Sequence, residues 1–213
     1  SDMTLVLPWA FDESVCQTRT VTNLYSSVAQ IIGYWSGDSN ILNDLKAVTS
    51  AGSSFMEKYE KEFKKIANLD WHNVVILADG EIQGIATEAA LAFQEISQTS
   101  SNYYHLLDSR HGPMVMINRD SLVITCLTSN DFSRQSTLIN DVVAKGAKVI
   151  VYTSDKVDDI SGVMLQISFG MKLDSIANGI PFVNISQLTA YYKAIKKGIN
   201  PDKPDGLEPW IKL

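Results

Sequence analysis

The stretch NVVILADGEIQGIATEAALAFQEISQTSSNYYHLLDSRHGPM, Asn73 to Met114, decides the fold of this chain. It opens on an apolar, β-rich run from Val74 to Ala78, turns at Asp79-Gly80, and continues into an Ala-rich helix from about Gln83 to Ser97. A buried strand that hands over to a helix N-terminus marks the place where open α/β sheets hold ligands, outside the carboxyl ends of their strands. The polar segment from Gln98 to Arg110 then leads to His111-Gly112-Pro113, which sets a histidine beside one permissive and one stiff residue.

Outward from this stretch, strand and helix alternate. Strands are expected at Val74 to Ala78, Tyr103 to Leu107, Leu122 to Leu127, Lys148 to Tyr152 and Val163 to Ile167. Crossover helices are expected at about Ile85 to Ser97 and Phe132 to Lys145, the second capped by Gly146. The runs at 74, 122 and 148 are continuously apolar, as a parallel sheet covered on both faces requires. The expected fold is therefore α/β, a three-layer α/β/α sandwich with a mostly parallel, roughly five-stranded sheet. Toward the C-terminus the pattern predicts a loop containing Pro181, a helix from about Ile185 to Lys197 stopped by Gly198, and an extended tail with Pro201, Pro204 and Pro209. Upstream it predicts a short strand at Thr4 to Pro8, a long helix from about Glu13 to Trp35, and helical runs at Ile41 to Ser50 and Ser53 to Leu69. A lone strand cannot satisfy its own backbone, so Thr4 to Pro8 must complete the main sheet, pair with another subunit, or belong to a neighbouring domain.

The totals narrow the function classes. With 213 residues, 45% of them hydrophobic, the chain holds one good-sized core. A net charge of −6, with no basic cluster beyond Lys196-Lys197, argues against nucleic acid or an anionic membrane as partner. Cys16 and Cys126 offer no disulfide framework and fit a reduced, cytoplasmic protein. No apolar run approaches the about 20 residues of a spanning helix. Zinc spacing, an EF-hand loop and a G-x-S-x-G elbow are all absent, so no metal and no cofactor are expected.

Glu88, Ala92 and Glu95 share one helical face, while Ala86, Ala89, Ala90 and Phe93 should be buried. Two carboxylates without a lysine beside them describe a wetted surface or, if the face borders a cleft, a general base with a raised pKa. Glu95, at the carbonyl end of the helix and near the His111 loop, should have the raised pKa; Glu88, in the first half, should sit in a stabilising field. Small Ala92 would leave room for a ligand between them. Gly80 and Gly84 mark either a tight turn or close backbone approach to a ligand. Thr128, Ser129, Asn130 and Ser133 follow a strand at a helix start, where hydroxyls cap the helix or hold an anion. His111, beside Arg110 in a loop, is the histidine least explained by packing; His72 and His105 are assigned structural or surface roles.

Three ordered motifs resemble the sugar isomerase (SIS) domain family over about residues 73 to 206. Gly84-Ile85-Ala86 with Glu88-Ala89-Ala90-Leu91 and Glu95-Ile96-Ser97 looks like the family's glutamate-bearing helix, and Arg110-His111-Gly112-Pro113 looks like its K/R-H-G-P motif. Gln187-Leu188, Ala190-Tyr191-Tyr192 and Gly198 through Pro204 look like its closing helix and N-P-D-x-P tail, while Asn130-Asp131 with Ser133-Arg134-Gln135 is similar to the tagatose-phosphate branch. The resemblance implies the second of two tandem domains: residues 1–69 as the end of a first domain with linking helices, and 70–213 as the second domain with its tail. It implies that Glu95 abstracts the proton in sugar isomerisation and that His111 helps open the sugar ring, reaching a neighbouring subunit's site in a homodimer. Gly80, Gly84, Arg110 and Ser129 are the expected substrate-binding residues. Ala92 stands where synthase-type isomerases have a lysine, and Pro209 stands near a second, C-terminal lysine, which argues against amino-sugar chemistry by that mechanism. The phosphate-binding serine/threonine loop of the first domain is not among these residues. The implied function is aldose–ketose isomerisation or deglycation of a sugar phosphate in the intact protein, and the alternative is a non-catalytic phosphosugar-binding module.

Overall fold

In the computed structural model, which describes residues 2 and 4–206, five parallel strands form one sheet in the order β2-β1-β3-β4-β5. They are β1 (Asn73–Ala78), β2 (Ser100–His105), β3 (Ser121–Cys126), β4 (Lys148–Thr153) and β5 (Leu165–Ser168). The register sets Asn73 opposite Ser100 on one side and Ser121 on the other. The helices are α1 (Arg19–Ser36), α2 (Ser39–Ala67), α3 (Ile82–Ser97), α4 (Phe132–Ala144) and α5 (Ser175–Lys197).

Side-chain alternation along the strands divides the core. Val74, Ile76, Ala78, Leu122, Ile124 and Tyr152 face α2, α3 and α5. Val75, Leu77, Val123, Val149 and Val151 face α4, together with Leu106 and Ile117 from the β2–β3 connection. Both faces are covered, and β1, β3 and β4 are accordingly almost wholly buried. Beyond the sheet, Ala29 of α1, Ile41, Leu45 and Val48 of α2 and Ala177 of α5 make a smaller core.

The outer elements depart from the sequence pattern. Thr4 to Pro8 forms no strand; the chain there has no regular structure until a 3-10 turn at Pro8–Ala10, and α1 starts only at Arg19. The two helical runs expected between 41 and 69 are one helix. Its apolar stripe, Ile41, Leu45, Val48, Phe55, Phe63 and Ile66, continues past Gly52, whose helical cost of about 1 kcal/mol is outweighed by burial on both sides. Strand β2 begins three residues before the expected start and ends at His105, because its polar residues occupy a half-exposed sheet edge that apolar patterning does not reveal. Strand β5 likewise runs Leu165–Ser168.

Pro181 lies inside α5 rather than in a loop. Proline withholds the donor that the Ala177 carbonyl would accept. Around it, Asp174 caps the helix, accepting from the Ile176 amide at 2.9 Å, and the Tyr25 hydroxyl donates to the Ile176 carbonyl at 2.7 Å, while Pro181 itself is buried in the packed face. At the other end of α5 three lysines fasten neighbouring helix ends. The Lys193 ammonium donates to the Leu69 carbonyl at 3.0 Å and lies 3.8 Å from the centre of the Trp71 ring; Lys196 donates to the Asn68 carbonyl, and Lys197 to those of Ser97 and Gln98. Each places a cation at the carbonyl terminus of α2 or α3, where the helix dipole favours it.

Candidate functional site

The carboxylates with raised proton affinity among the described residues are Glu88 and Glu95, on one face of α3. The two carboxylates are two turns apart on one side of the helix, and both are half-buried. Burial, and then the Glu95 charge, push the Glu88 carboxyl up to about 7; burial also raises that of Glu95. Desolvation therefore overrides the dipole expected to favour a charged Glu88, and the two residues act as an interacting pair. Ala92 between them is only 3% exposed and belongs to the core, so packing fills the space expected to be open beside it.

Beside this face lies a cleft of about 460 Å³, whose walls are the segment from Asp12 to Thr18, Ile96 of α3, Gln187 and Tyr191 of α5, and the tail at Pro201-Asp202. The Val15 amide donates to the Asp202 carbonyl at 3.1 Å, so the upstream segment and the tail close the cleft together. Burial first, then the nearby charges of Glu95 and Asp202, push the Cys16 thiol in its wall up to about 11, away from a reactive thiolate. Gln187 is 7% exposed, and its amide nitrogen has no hydrogen-bond partner among the described residues. A buried orphan donor at a cleft wall is a binding feature in waiting. Gln187 entered the sequence reading only as part of the closing-helix motif, and nothing marked Cys16 or Asp12 as cleft residues, because segments nearly 200 residues apart create the cleft.

The other expected site residues fall elsewhere. Leu107 and Met114, which flank His111, pack into the core on the α4 side of the sheet, whereas α3 packs on the opposite face. One chain thus separates His111 from Glu95 by the thickness of the sheet, contrary to the expectation that their loop and helix adjoin. His111 is exposed, and Arg110 is engaged by Asp141 of α4 at 2.6 Å. Gly80, with φ +59°, makes the turn after β1, a conformation that favours glycine, while a side chain at Gly84 would meet only open space. Ser129 lines a separate cleft at the carboxyl ends of β3 and β4, reached by Glu81 at the start of α3. Thirteen residues of helix, about 20 Å, lie between Ile82 at that cleft and Glu95. Pro209 lies outside the described residues.

A three-layer α/β/α domain with a parallel sheet covered on both faces belongs to the class of open α/β domains, which leave crevices at the carboxyl ends of their strands. The SIS domain model matches residues 69–195, and the chain belongs to the SIS domain family. It is 25% identical over 217 residues to the glutamine–fructose-6-phosphate aminotransferase (isomerizing) of Escherichia coli K12, covering 97% of this chain and 36% of that protein. Among solved structures it superposes on a glucosamine-6-phosphate deaminase from Thermotoga maritima with a TM-score of 0.84 at 26% identity, covering 100% of this chain and 62% of that one. It superposes on a tagatose-6-phosphate ketose/aldose isomerase from Escherichia coli with a TM-score of 0.76 at 19% identity, covering 97% and 57%. The chain spans only about a quarter to a third of the length of the curated relatives it matches. Among the described residues no helix is long and apolar enough to cross a membrane.

Proposed function

We propose that the intact protein is a cytoplasmic phosphosugar isomerase or deglycase in which Glu95 is the general base and a second copy of the chain supplies His111. The observation that carries this reading is the half-buried Glu88–Glu95 pair beside a cleft of sugar-sized volume. Aldose–ketose interconversion removes a proton from the carbon next to a carbonyl and returns it one carbon away, through an enediol. One carboxylate can make both transfers if its pKa is high enough to accept the proton and low enough to be ionised near neutrality. Glu95 is the member of the pair next to the cleft wall, beside Ile96 and close enough for its charge to act on Cys16, and burial alone lifts its proton affinity; Glu88 stands two turns away. Since the sheet separates His111 from Glu95 within one chain, ring opening by His111 requires a homodimer, as the family resemblance implies.

The non-catalytic binding module remains the second reading, favoured by buried Ala92 at the position of the family's lysine. Deuterium exchange separates the two. Candidate sugar phosphates supplied in deuterated water to the intact protein should gain deuterium at C1 or C2 with wild type. Glu95→Gln should lower the exchange rate by roughly 10² to 10⁴, and Glu88→Gln should mainly shift its pH dependence. Exchange that survives Glu95→Gln but is lost in Glu88→Gln would reverse the assignment. Absence of exchange with every sugar phosphate in intact wild type would favour the binding module.

A further inference from the structure

Helix α3 ends at Ser97, and Gln98 then takes φ +47°, the one residue other than glycine in the left-handed region among the described residues. A glutamine is strained there where a glycine is not, and such strain persists only where the surroundings hold it. Part of that hold is local. The Gln98 and Thr99 amides both return to the Phe93 carbonyl, Thr99 at 3.0 Å, and the Ser97 hydroxyl donates to the same carbonyl at 2.8 Å.

The rest comes from Lys197, at the far end of α5. Its ammonium donates to the Ser97 carbonyl at 2.9 Å, the Gln98 carbonyl at 3.1 Å and the Thr99 hydroxyl at 2.8 Å. All three of its donors are thus spent on three consecutive residues, two of them, Ser97 and Thr99, buried. A cation that only complemented the helix dipole would need no such set of directed bonds; three charge-assisted bonds around one strained residue fix a position. Lys196, its neighbour, holds a different helix, α2, at the Asn68 and Leu69 carbonyls.

The turn so held lies at the foot of the candidate site. Glu95 and the cleft-wall residue Ile96 belong to the last turn of α3, immediately before the clamped residues. From Lys197 the chain passes through Gly198 to Pro201-Asp202, which line the same cleft. One side chain therefore joins the end of the helix that carries the proposed base to the segment that closes the cleft.

We propose that Lys197 is a positioning residue: by clamping the left-handed turn at Gln98 it fixes the last turn of α3, and with it the Glu95 carboxylate relative to substrate. This role rests on the reading of Glu95 as general base.

The test compares variants of the intact protein in the deuterium-incorporation assay. Lys197→Met should lower the maximal rate by roughly 10- to 100-fold, the cost of a base displaced by about 1 Å or less, and leave KM within about twofold. Lys196→Met, which unfastens α2 instead, should leave the rate unchanged. Glycine adopts the turn without strain, so adding Gln98→Gly to Lys197→Met should recover most of the rate. Amide hydrogen exchange reads the clamp without turnover: residues 94–99 should lose protection in Lys197→Met while residues 85–90 keep it. If wild type incorporates deuterium into no sugar phosphate, the isomerase reading fails, whereas loosening confined to residues 94–99 upholds the clamp on the end of α3. If Lys197→Met does not fold, Thr99→Val, which removes one of the three contacts, should show the same rate loss and local loosening to a smaller degree. Unchanged protection at residues 94–99, a wild-type rate in the clamp variants, an equal loss in Lys196→Met, or no recovery with Gln98→Gly would each overturn the proposal.

Discussion

Glu88 makes stability depend on pH in a way opposite to an ordinary surface carboxylate. Its ordinary value is 4.5, and the folded chain holds it at about 7, so the folded state binds the proton more tightly than the unfolded one. Its stabilising contribution is complete below about pH 4.5 and is lost as pH rises through about 7. Glu88→Gln should therefore gain melting temperature relative to wild type between about pH 5 and pH 8 and show no gain near pH 4; a constant difference across this range would contradict the burial cause. Lys193 runs the other way. Burial first, then Lys196 and Lys197, with a smaller contribution from Lys148 and an opposing one from Asp70, hold its ammonium down to about 8 from an ordinary 10.5. The cost of burying that charge is full below about pH 8 and is relieved as pH climbs toward 10.5. In urea unfolding, the stability of Lys193→Met minus that of wild type should fall between about pH 8 and pH 10. A flat difference would mean that Lys193 is charged in the fold throughout. Neither group could be singled out from its neighbours in the chain: Glu88 resembles any helical glutamate, and Lys193 sits in a run with Lys196 and Lys197 that reads as solvated. What shifts each of them first is burial, which only the folded chain supplies.

At the scale of elements, the meeting of α1, α3 and α5 turns on Gly179. A methyl group there would come within 2.6 Å of the Tyr25 hydroxyl and 3.3 Å of Ile85. Gly179→Ala should cost about 1–3 kcal/mol in urea unfolding, the usual range for overpacking. Combining it with Tyr25→Phe should recover part of that loss, because the clashing oxygen is gone. Additive costs in the double variant would show that the strain lies elsewhere. The sheet and its crossover helices were legible in the sequence because buried parallel strands are unbroken apolar runs: β1, β3 and β4 fall within a residue or so of their expected limits. The misread elements share a physical cause. Gly52 and Pro181 look like interruptions when read locally, yet each sits in a helix whose apolar face is long enough to hold it, and the polar strand β2 is specified by its parallel pairing with β1 rather than by its own pattern. The site was less legible than the fold. Glu95 could be identified as a candidate by its place on a helical face, but its neighbours Gln187 and Asp202 are set by tertiary closure, and the separation of His111 from Glu95 follows from which side of the sheet each connection takes.

For the whole molecule, α1 leaves an apolar surface that the rest of the described chain does not cover. Trp35 is 89% exposed, and Leu24, Val28 and Ile31 on the same helix are about half exposed. With no strand at Thr4 to Pro8, the case for self-association rests on this helix alone. Sedimentation at tens of micromolar, roughly the usual working range, should show a dimer, and Val28→Glu with Ile31→Glu should yield a monomer of unchanged circular dichroism. A monomeric wild type would leave His111 without a route to a partner's Glu95. The lysine fastenings at the end of α5 also bear on how the chain is made. Synthesis delivers α2, β1 and α3 well before the helix that holds their ends together and covers the same face of the sheet. From Asn73 to Lys197 a ribosome working at about 5–20 residues per second needs roughly 6–25 s. Through that interval the nascent domain carries a bare apolar face, which makes it a client for chaperones, and messages interrupted before Ser175 should yield insoluble product.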